Sequence, residues 1–331
     1  MFSISGWGKS VPINTVTNDD LSKYLDTSDE WITSRTGIKE RRIIDESLGE
    51  SSLSLAVESA EQAMLKSGKI SSDIDCVIVA TASATQPIPS MASIVSKQLG
   101  IIAPAFDLNA ACSGYVYALS VAAGFFELKL FKNILLIGVD TLSVVVDKND
   151  RSTAILFGDG AGAVVLTSND DPSSGLISAD IGGDASQYEI LEVPARPNTQ
   201  LKDQDVKEVI EHLHPYLVMN GKEVFKVAVR AVEKSISRAL EKAGMTVDKI
   251  DHLLLHQANV RIIDAICERL EVSKDKAHIN LDKYGNTSAA SIPILLAEVA
   301  DKNRFSDGDL LVFCGFGAGM TWGTCILRWK N

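Results

Sequence analysis

Cys112 lies in Phe106–Tyr117 (FDLNAACSGYVY), between an extended run, Ala105–Leu108, and a long Ala-rich apolar segment, Tyr115–Leu128, that reads as a buried helix. A strand that turns sharply into a helix puts the thiol near a helix N-terminus, where unpaired N–H groups and the dipole favour a thiolate. The small neighbours Ala110, Ala111, Ser113 and Gly114 would let a carbonyl approach closely. A free cysteine packed as a small hydrophobe is the other reading of this segment. His256, in HQAN, puts an imidazole at a strand end just before a helix, and Asn286, in YGNTSAAS, puts an amide at a second strand-to-helix junction. Gly315–Gly319 (GFGAG) is either a glycine-rich turn whose N–H groups face an oxyanion or a tight β-turn with no ligand.

Two further motifs point to other chemistry and lack its context. His252 and His256 have the i,i+4 spacing of a zinc pair, but they occupy a strand-like run and no third ligand is evident. Gly158–Ala163 (GDGAGA) matches a dinucleotide GxGxxA pattern formally, yet no helix follows it. A tight turn between two strands fits that segment better.

The elements that must position these residues repeat. Ala63–Gly68 followed by Ile74–Ala80 resembles Ala239–Gly244 followed by Ile250–His256: an amphipathic helix, a glycine stop, a polar link and a buried strand. The offset is 176 residues, and the same offset carries Asn133–Gly138 onto Asp309–Cys314 and Cys112 onto Ser288. Two βα-rich halves follow, 1–172 and 173–331, meeting in the Asp170–Gly175 loop. Mostly parallel, helix-covered sheets are expected, closed by hairpin-like strands at Phe157–Thr167 and Gly315–Leu327. Equivalent strand ends then converge at a pseudo-twofold interface, where Cys112, His256 and Asn286 would share a site.

Composition bounds the function classes. The 331 residues are 46% hydrophobic and 23% charged, as in ordinary globular proteins. A net charge of −11 speaks against a nucleic-acid role for the whole surface. The start of the chain shows no signal-peptide pattern and no apolar run reaches a membrane span, so a cytoplasmic protein is expected. Five scattered cysteines without a CxxC pair fit a reducing compartment rather than disulfides or structural zinc. Trp31 and Arg35, at i,i+4 on a short helix capped by Thr27, Ser28 or Asp29, make either a platform for a flat phosphorylated group or a surface helix with an inward Trp. Lys222, Lys226 and Arg230 form a basic stripe: a solvated face, or a dock for an acidic partner. Ile181–Gln204 reads as a polar surface excursion, followed by a charged helix at Asp205–His214.

Taken together, DTSDEWITSRTGI, NAACSGY, DRSTAILFGDGAGAVVL, MNGKEVFKVAV, HQANVRI, YGNTSAAS and GFGAGMTWG resemble the β-ketoacyl-acyl-carrier-protein synthase III family over essentially the whole chain. The resemblance implies an α/β thiolase-like fold, two duplicated βα halves with mixed sheets in αβαβα layers, and a homodimer. It implies condensation of an acyl-CoA with malonyl-acyl-carrier protein, with no metal or cofactor. Cys112 matches the acyl-accepting nucleophile, with His256 and Asn286 completing the triad. The amides of Cys112 and Ala318 match an oxyanion hole, and Phe316 a residue beside the nucleophile. Thr27, Trp31, Arg35, Arg151, Phe225 and Asn259 match coenzyme A contacts, and Lys222, Lys226 and Arg261 match the carrier-protein surface. Ile88 and Leu142 match the acyl pocket; Ile88 stands where acetyl-specific members carry a bulky aromatic, which leaves the starter chain open, longer or branched groups included.

Other readings share these residue types. A thiolase would need a second acid/base cysteine, and Phe316 occupies its motif position. A secondary-metabolism condensing enzyme would use the same triad on another acceptor. A Cys/His/Asn hydrolase, such as a thioesterase, or a non-catalytic carrier-binding protein are the alternatives from other classes.

Overall fold

The computed structural model describes residues 1–171, 174–194 and 216–330. The expected helix at 205–214 and residues 172 and 173 of the expected junction lie outside them. Strand β1 (Phe2–Ser10) leads to a hairpin-like pair, β2 (Thr15–Thr17) and β3 (Glu40–Arg42), that brackets helices α1 (Asn18–Ser22) and α2 (Asp29–Thr36). Then come α3 (Ser52–Ser67), β4 (Cys76–Ala80), α4 (Met91–Leu99), β5 (Ala105–Leu108), α5 (Gly114–Glu127), β6 (Asn133–Thr141), α6 (Arg151–Ala154) and β7 (Asp159–Ser168). The second part comprises β8 (Gly175–Gly183), β9 (Leu191–Glu192), β10 (Val218–Met219), α7 (Gly221–Ala243), β11 (His252–Leu255) and α8 (Val260–Leu270). It ends with α9 (Leu281–Tyr284), α10 (Ser291–Asp301), β12 (Leu310–Gly317) and β13 (Thr321–Arg328).

Two mixed sheets result, in the orders β1-β7-β6-β4-β5 and β11-β12-β13-β8. In each, the βα connections give parallel pairs (β4 with β5 and β6, β11 with β12), and a hairpin partner closes the sheet antiparallel (β7 on β6, β13 on β12). Strand alternation sets the layers. Cys76, Ile78 and Ala80 of β4 face inward with Ile134 and Leu136 of β6, while Val77, Val79, Leu135 and Ile137 face α3 and α4. Leu311 and Phe313 of β12 join the inner set, so α5 and α10 are buried between the two sheets. Helices α7 and α8 cover the far face of the second sheet. This is the αβαβα arrangement expected of the thiolase-like fold.

Two sequence readings need correction. The repeat does not keep one register: Cys76 pairs with Ile134 in the first sheet and His252 with Leu311 in the second, so an offset of 176 for β4 onto β11 becomes one residue longer for β6 onto β12. The turns before α5 and α10 follow the longer offset: 3-10 turns at Ala111–Ser113 and Ser288–Ala290, each opening on a left-handed residue, Ala111 (φ 47°) and Ser288 (φ 51°). Ser288 is therefore the counterpart of Ala111, and Cys112 that of Ala289. The GDGAGA segment is not a turn; Asp159–Ala163 belong to β7 itself. Its glycines let α10 lie directly on the strand, because a Cβ on Gly162 would come within 2.6 Å of the Ile294 nitrogen and the Pro293 carbonyl carbon.

Candidate active site

The nucleophile turn is held from both halves. After β5 the chain turns through Ala111–Ser113 into α5, leaving Cys112 buried at the entrance to that helix. The β12–β13 hairpin passes directly behind it. A Cβ on Gly317 would lie 2.6 Å from the Cys112 nitrogen, which is why the GFGAG motif carries glycine there. The Ser113 and Thr321 hydroxyls lie 2.8 Å apart, and both also bond to the Ala110 carbonyl. GFGAG is thus the end of β12 plus its turn, and Ala318 and Phe316 line the same cavity as Cys112.

His256 follows the last residue of β11, and its N–H donates to the Cys314 carbonyl at 2.8 Å. Its Nδ1 lies 2.7 Å from the hydroxyl of Ser291, the first residue of α10. Asn286 is tied by its backbone to Leu156 and Gly158, and its Oδ1 accepts the Ser288 N–H at 2.9 Å. With Oδ1 occupied, the Asn286 amide keeps Nδ2 as its donor. Cys112, His256 and Asn286 all line one cavity of about 420 Å³. Strand ends from both sheets meet there because the repeat places equivalent junctions at the interface.

Burial opposes the expected thiolate. Burial pushes the Cys112 thiol up to about 12, and the Ser288 hydroxyl, 3.3 Å from Sγ, only partly offsets this. The helix N-terminus acts in the opposite direction, toward the thiolate. Burial also lowers the His256 imidazole to about 4. Burial thus favours the uncharged forms of both groups. No group of three or more His, Cys, Asp or Glu among the described residues could hold a metal ion, and His252 instead bonds His278 and Asp309.

The remaining expected site residues divide. Phe225 on α7, Asn259 and Leu142 line the cavity; Asn259 is the N-cap of α8, its Oδ1 accepting the Arg261 N–H. The guanidinium groups of Arg35 and Arg151 lie over the Trp31 ring, 4.6 and 4.8 Å from its centre. Ser28, not Thr27, caps α2, and the buried Thr27 Oγ1 has no hydrogen-bond partner among the described residues. Lys222, Lys226, Arg230 and Arg261 are exposed; Lys226 pairs with Glu223. Ile88 is not brought to the cavity: it is 84% exposed on the loop before α4. Conversely, the segment read as a surface excursion supplies cavity wall, since Leu191 and Val193 line it and β9 pairs with β10. Sequence reasoning missed Ser291 and Ser288 as partners of His256 and Cys112. The YGNTSAAS motif contained both, but nothing in their spacing says which side chain reaches which partner.

Comparisons with known proteins agree along the chain. Residues 106–185 match the family model for 3-oxoacyl-[acyl-carrier-protein] synthase III, and residues 240–329 match the model for its C terminal. A β-ketoacyl-[acyl-carrier-protein] synthase III of Natranaerobius thermophilus is 48% identical over 97% of each chain. The solved 3-oxoacyl-[acyl-carrier-protein] synthase III of Aquifex aeolicus is 42% identical with a TM-score of 0.91, covering 99% of this chain and 100% of its own. A priming β-ketosynthase from the R1128 polyketide biosynthetic pathway is 32% identical, also with a TM-score of 0.91, covering 100% of this chain and 97% of its own. No helix among the described residues is long and apolar enough to cross a membrane.

Proposed function

Because the chain belongs to the 3-oxoacyl-[acyl-carrier-protein] synthase III family, we propose that Cys112, His256 and Asn286 perform the family's condensation. It is an acyltransferase that joins an acyl-CoA starter to malonyl-acyl-carrier protein, initiating fatty-acid synthesis. The observation that carries the assignment of residues is the convergence of a thiol, an imidazole and an amide on one mostly apolar cavity.

Cys112 attacks the thioester carbonyl while backbone amides, those of Cys112 and Ala318, take the oxyanion. Coenzyme A leaves, and the thiol proton ends on its sulfur. Malonyl-carrier protein then enters, and neutral His256 and Asn286 donate hydrogen bonds to its thioester oxygen as CO₂ departs. A Ser291 hydroxyl donating to Nδ1 keeps the proton on Nε2, the donor this step needs. The enolate carbon attacks the acyl-Cys112 carbonyl and expels the cysteine, giving the β-ketoacyl-carrier protein.

Trp31, with the Arg35 and Arg151 guanidinium groups over its ring, supports the expected adenine-nucleotide contact, with Thr27 nearby in sequence. Lys222, Arg230 and Arg261 offer cations to an acidic carrier protein, with Lys226 beside them. The open edge of β5 and the exposed Ile88 loop suit a homodimer, with 1–172 and 173–331 as the two halves of each chain. Five free cysteines suit the cytoplasm.

Intact mass after incubation with a panel of acyl-CoAs tests the reading. Wild type gains one acyl group, Cys112→Ala gains none, and the ranking of chains identifies the starter. A wild type unmodified by every acyl-CoA removes the first half-reaction. The likeness to a priming polyketide ketosynthase supports a second reading, in which the same triad serves a secondary-metabolite carrier protein. Condensation rates with the two kinds of carrier separate them.

A further inference from the structure

The active-site cavity does not end at Cys112, His256 and Asn286. It continues on the far side of the second sheet, where α7 and α8 pack against each other. Val224, Ala228 and Val232 line it from α7 at four-residue spacing, so it follows that helix for about 12 Å at 1.5 Å per residue. The small Ala228 between the two valines keeps the passage open. From α8 the wall is Ile262 and Ile266, reaching about 10 Å from the Asn259 cap. Leu255 of β11 and Cys314 of β12, paired in register, complete it from the sheet just before His256. Val232 and Ile266 are buried members of the core and mark the inner end.

This arm is apolar. Its one side-chain heteroatom is the Cys314 sulfur, which accepts the Thr324 hydroxyl at 3.1 Å. The polar side chains of the cavity wall lie elsewhere, among them Asn259 at the start of α8 and His256 and Asn286 of the triad. The pantetheine arm of coenzyme A carries two amides, and burying an amide without a partner is costly. An alkyl chain has nothing to satisfy there, and each methylene taken from water strengthens binding several-fold.

We propose that the arm between α7 and α8 holds the alkyl chain of the acyl starter, and that Val232 and Ile266 set the longest chain it takes. The substrate class is then a saturated acyl-CoA longer than acetyl. This occupant deepens the proposed condensation and rests on it, since an acyl-CoA brings the chain to Cys112. Leu142, on the wall contributed by the first half, is the competing position for the chain.

Single-turnover acylation of Cys112 by hexanoyl-CoA and by acetyl-CoA, read by intact mass, tests this through the ratio of the two rates. Wild type takes hexanoyl at least as fast as acetyl; a preference for acetyl overturns the proposal. Ile266→Phe fills the inner end and lowers the hexanoyl-to-acetyl ratio about tenfold or more. An unchanged ratio overturns the proposal, and a ratio lowered by Leu142→Phe but not by Ile266→Phe places the chain against the first half and overturns it too. If Ile266→Phe does not fold, Val232→Ala decides: the opened end raises the decanoyl-to-hexanoyl ratio several-fold, and no rise overturns the proposal. Calorimetric binding of the same acyl-CoAs to the Cys112→Ala protein keeps the two readings apart. A wild type that accepts no acyl group removes the condensation reading, and affinity then judges the arm alone. Hexanoyl-CoA binding about tenfold more tightly than acetyl-CoA, with that margin lost on adding Ile266→Phe, supports the arm as the chain site; equal affinities, or a margin that Ile266→Phe leaves intact, overturn it.

Discussion

His256 is an imidazole that must stay uncharged in the fold yet takes a proton readily once exposed. Its folded value of about 4 lies below the 6.5 of the free side chain, with burial as the cause. Between those values the unfolded chain binds the extra proton, so stability falls as pH drops from 6.5 toward 4. The full loss is about 3 kcal/mol. Denaturant titrations across this window will be steeper in pH for wild type than for His256→Gln. Asp159 acts in the opposite sense, since its carboxyl is raised to about 6 and its contribution is lost as pH rises through that value. Comparing each variant with wild type separates the two. Catalysis follows the same neutral imidazole: the malonyl half-reaction keeps its rate through pH 6.5 and declines only toward 4. Ser291→Ala, which releases Nδ1, slows malonyl decarboxylation about tenfold while leaving acylation of Cys112 by acyl-CoA close to wild type, as paired single-turnover measurements will show.

At the scale of elements, close approaches between backbones decide how the site is held. Helix α10 rests on β7 through Gly162, and the Cys112 turn rests on β12 through Gly317. Gly162→Ala forces α10 away from the strand and costs about 1–3 kcal/mol in denaturant unfolding. Gly317→Ala places its Cβ against the Cys112 amide, so its main effect is on chemistry: acylation falls at least about a hundredfold, the range of losing an oxyanion donor. Gly68, at the αL end of α3, has no described atom within 4 Å of its Cβ position. Alanine there meets only backbone strain, about 1 kcal/mol, and acylation is unaffected. A loss of acylation in Gly68→Ala equal to that in Gly317→Ala would contradict this division.

Across the whole molecule, charge is distributed against its own sum. The net charge is −11, yet Lys222, Lys226 and Arg230 are exposed along α7, and Arg261 is exposed on α8 beside the cavity. Charge reversal at Lys222 or Arg261 raises KM for malonyl-carrier protein several-fold, more at low salt than high, and leaves KM for the acyl-CoA nearly unchanged. An equal rise for both substrates would place these cations elsewhere in the cycle.

Much of this architecture is carried by local pattern. Period-two and helical hydrophobicity reveal the repeated βα units, the closing strands and the α5 segment, because burial of a strand or helix face dictates residue type at fixed spacing. The strand-to-helix junctions at Cys112 and His256 are visible for the same reason, whereas Asn286 follows the short helix α9 rather than a strand and meets only an isolated bridge to Phe157. Tertiary structure decides what depends on neighbours distant in the chain. The one-residue slip of the repeat is absorbed between elements and leaves no local mark. GDGAGA reads as a turn because glycine marks both turns and places where another backbone comes close, and only the position of α10 distinguishes them. The state of the Cys112 thiol turns on its burial and on the Ser288 hydroxyl beside it; the repeat links the two positions, but only the packing of the two halves brings their side chains into contact. A local helix-end argument therefore predicts a thiolate, while desolvation by the packed halves, invisible in the sequence, pulls toward the thiol.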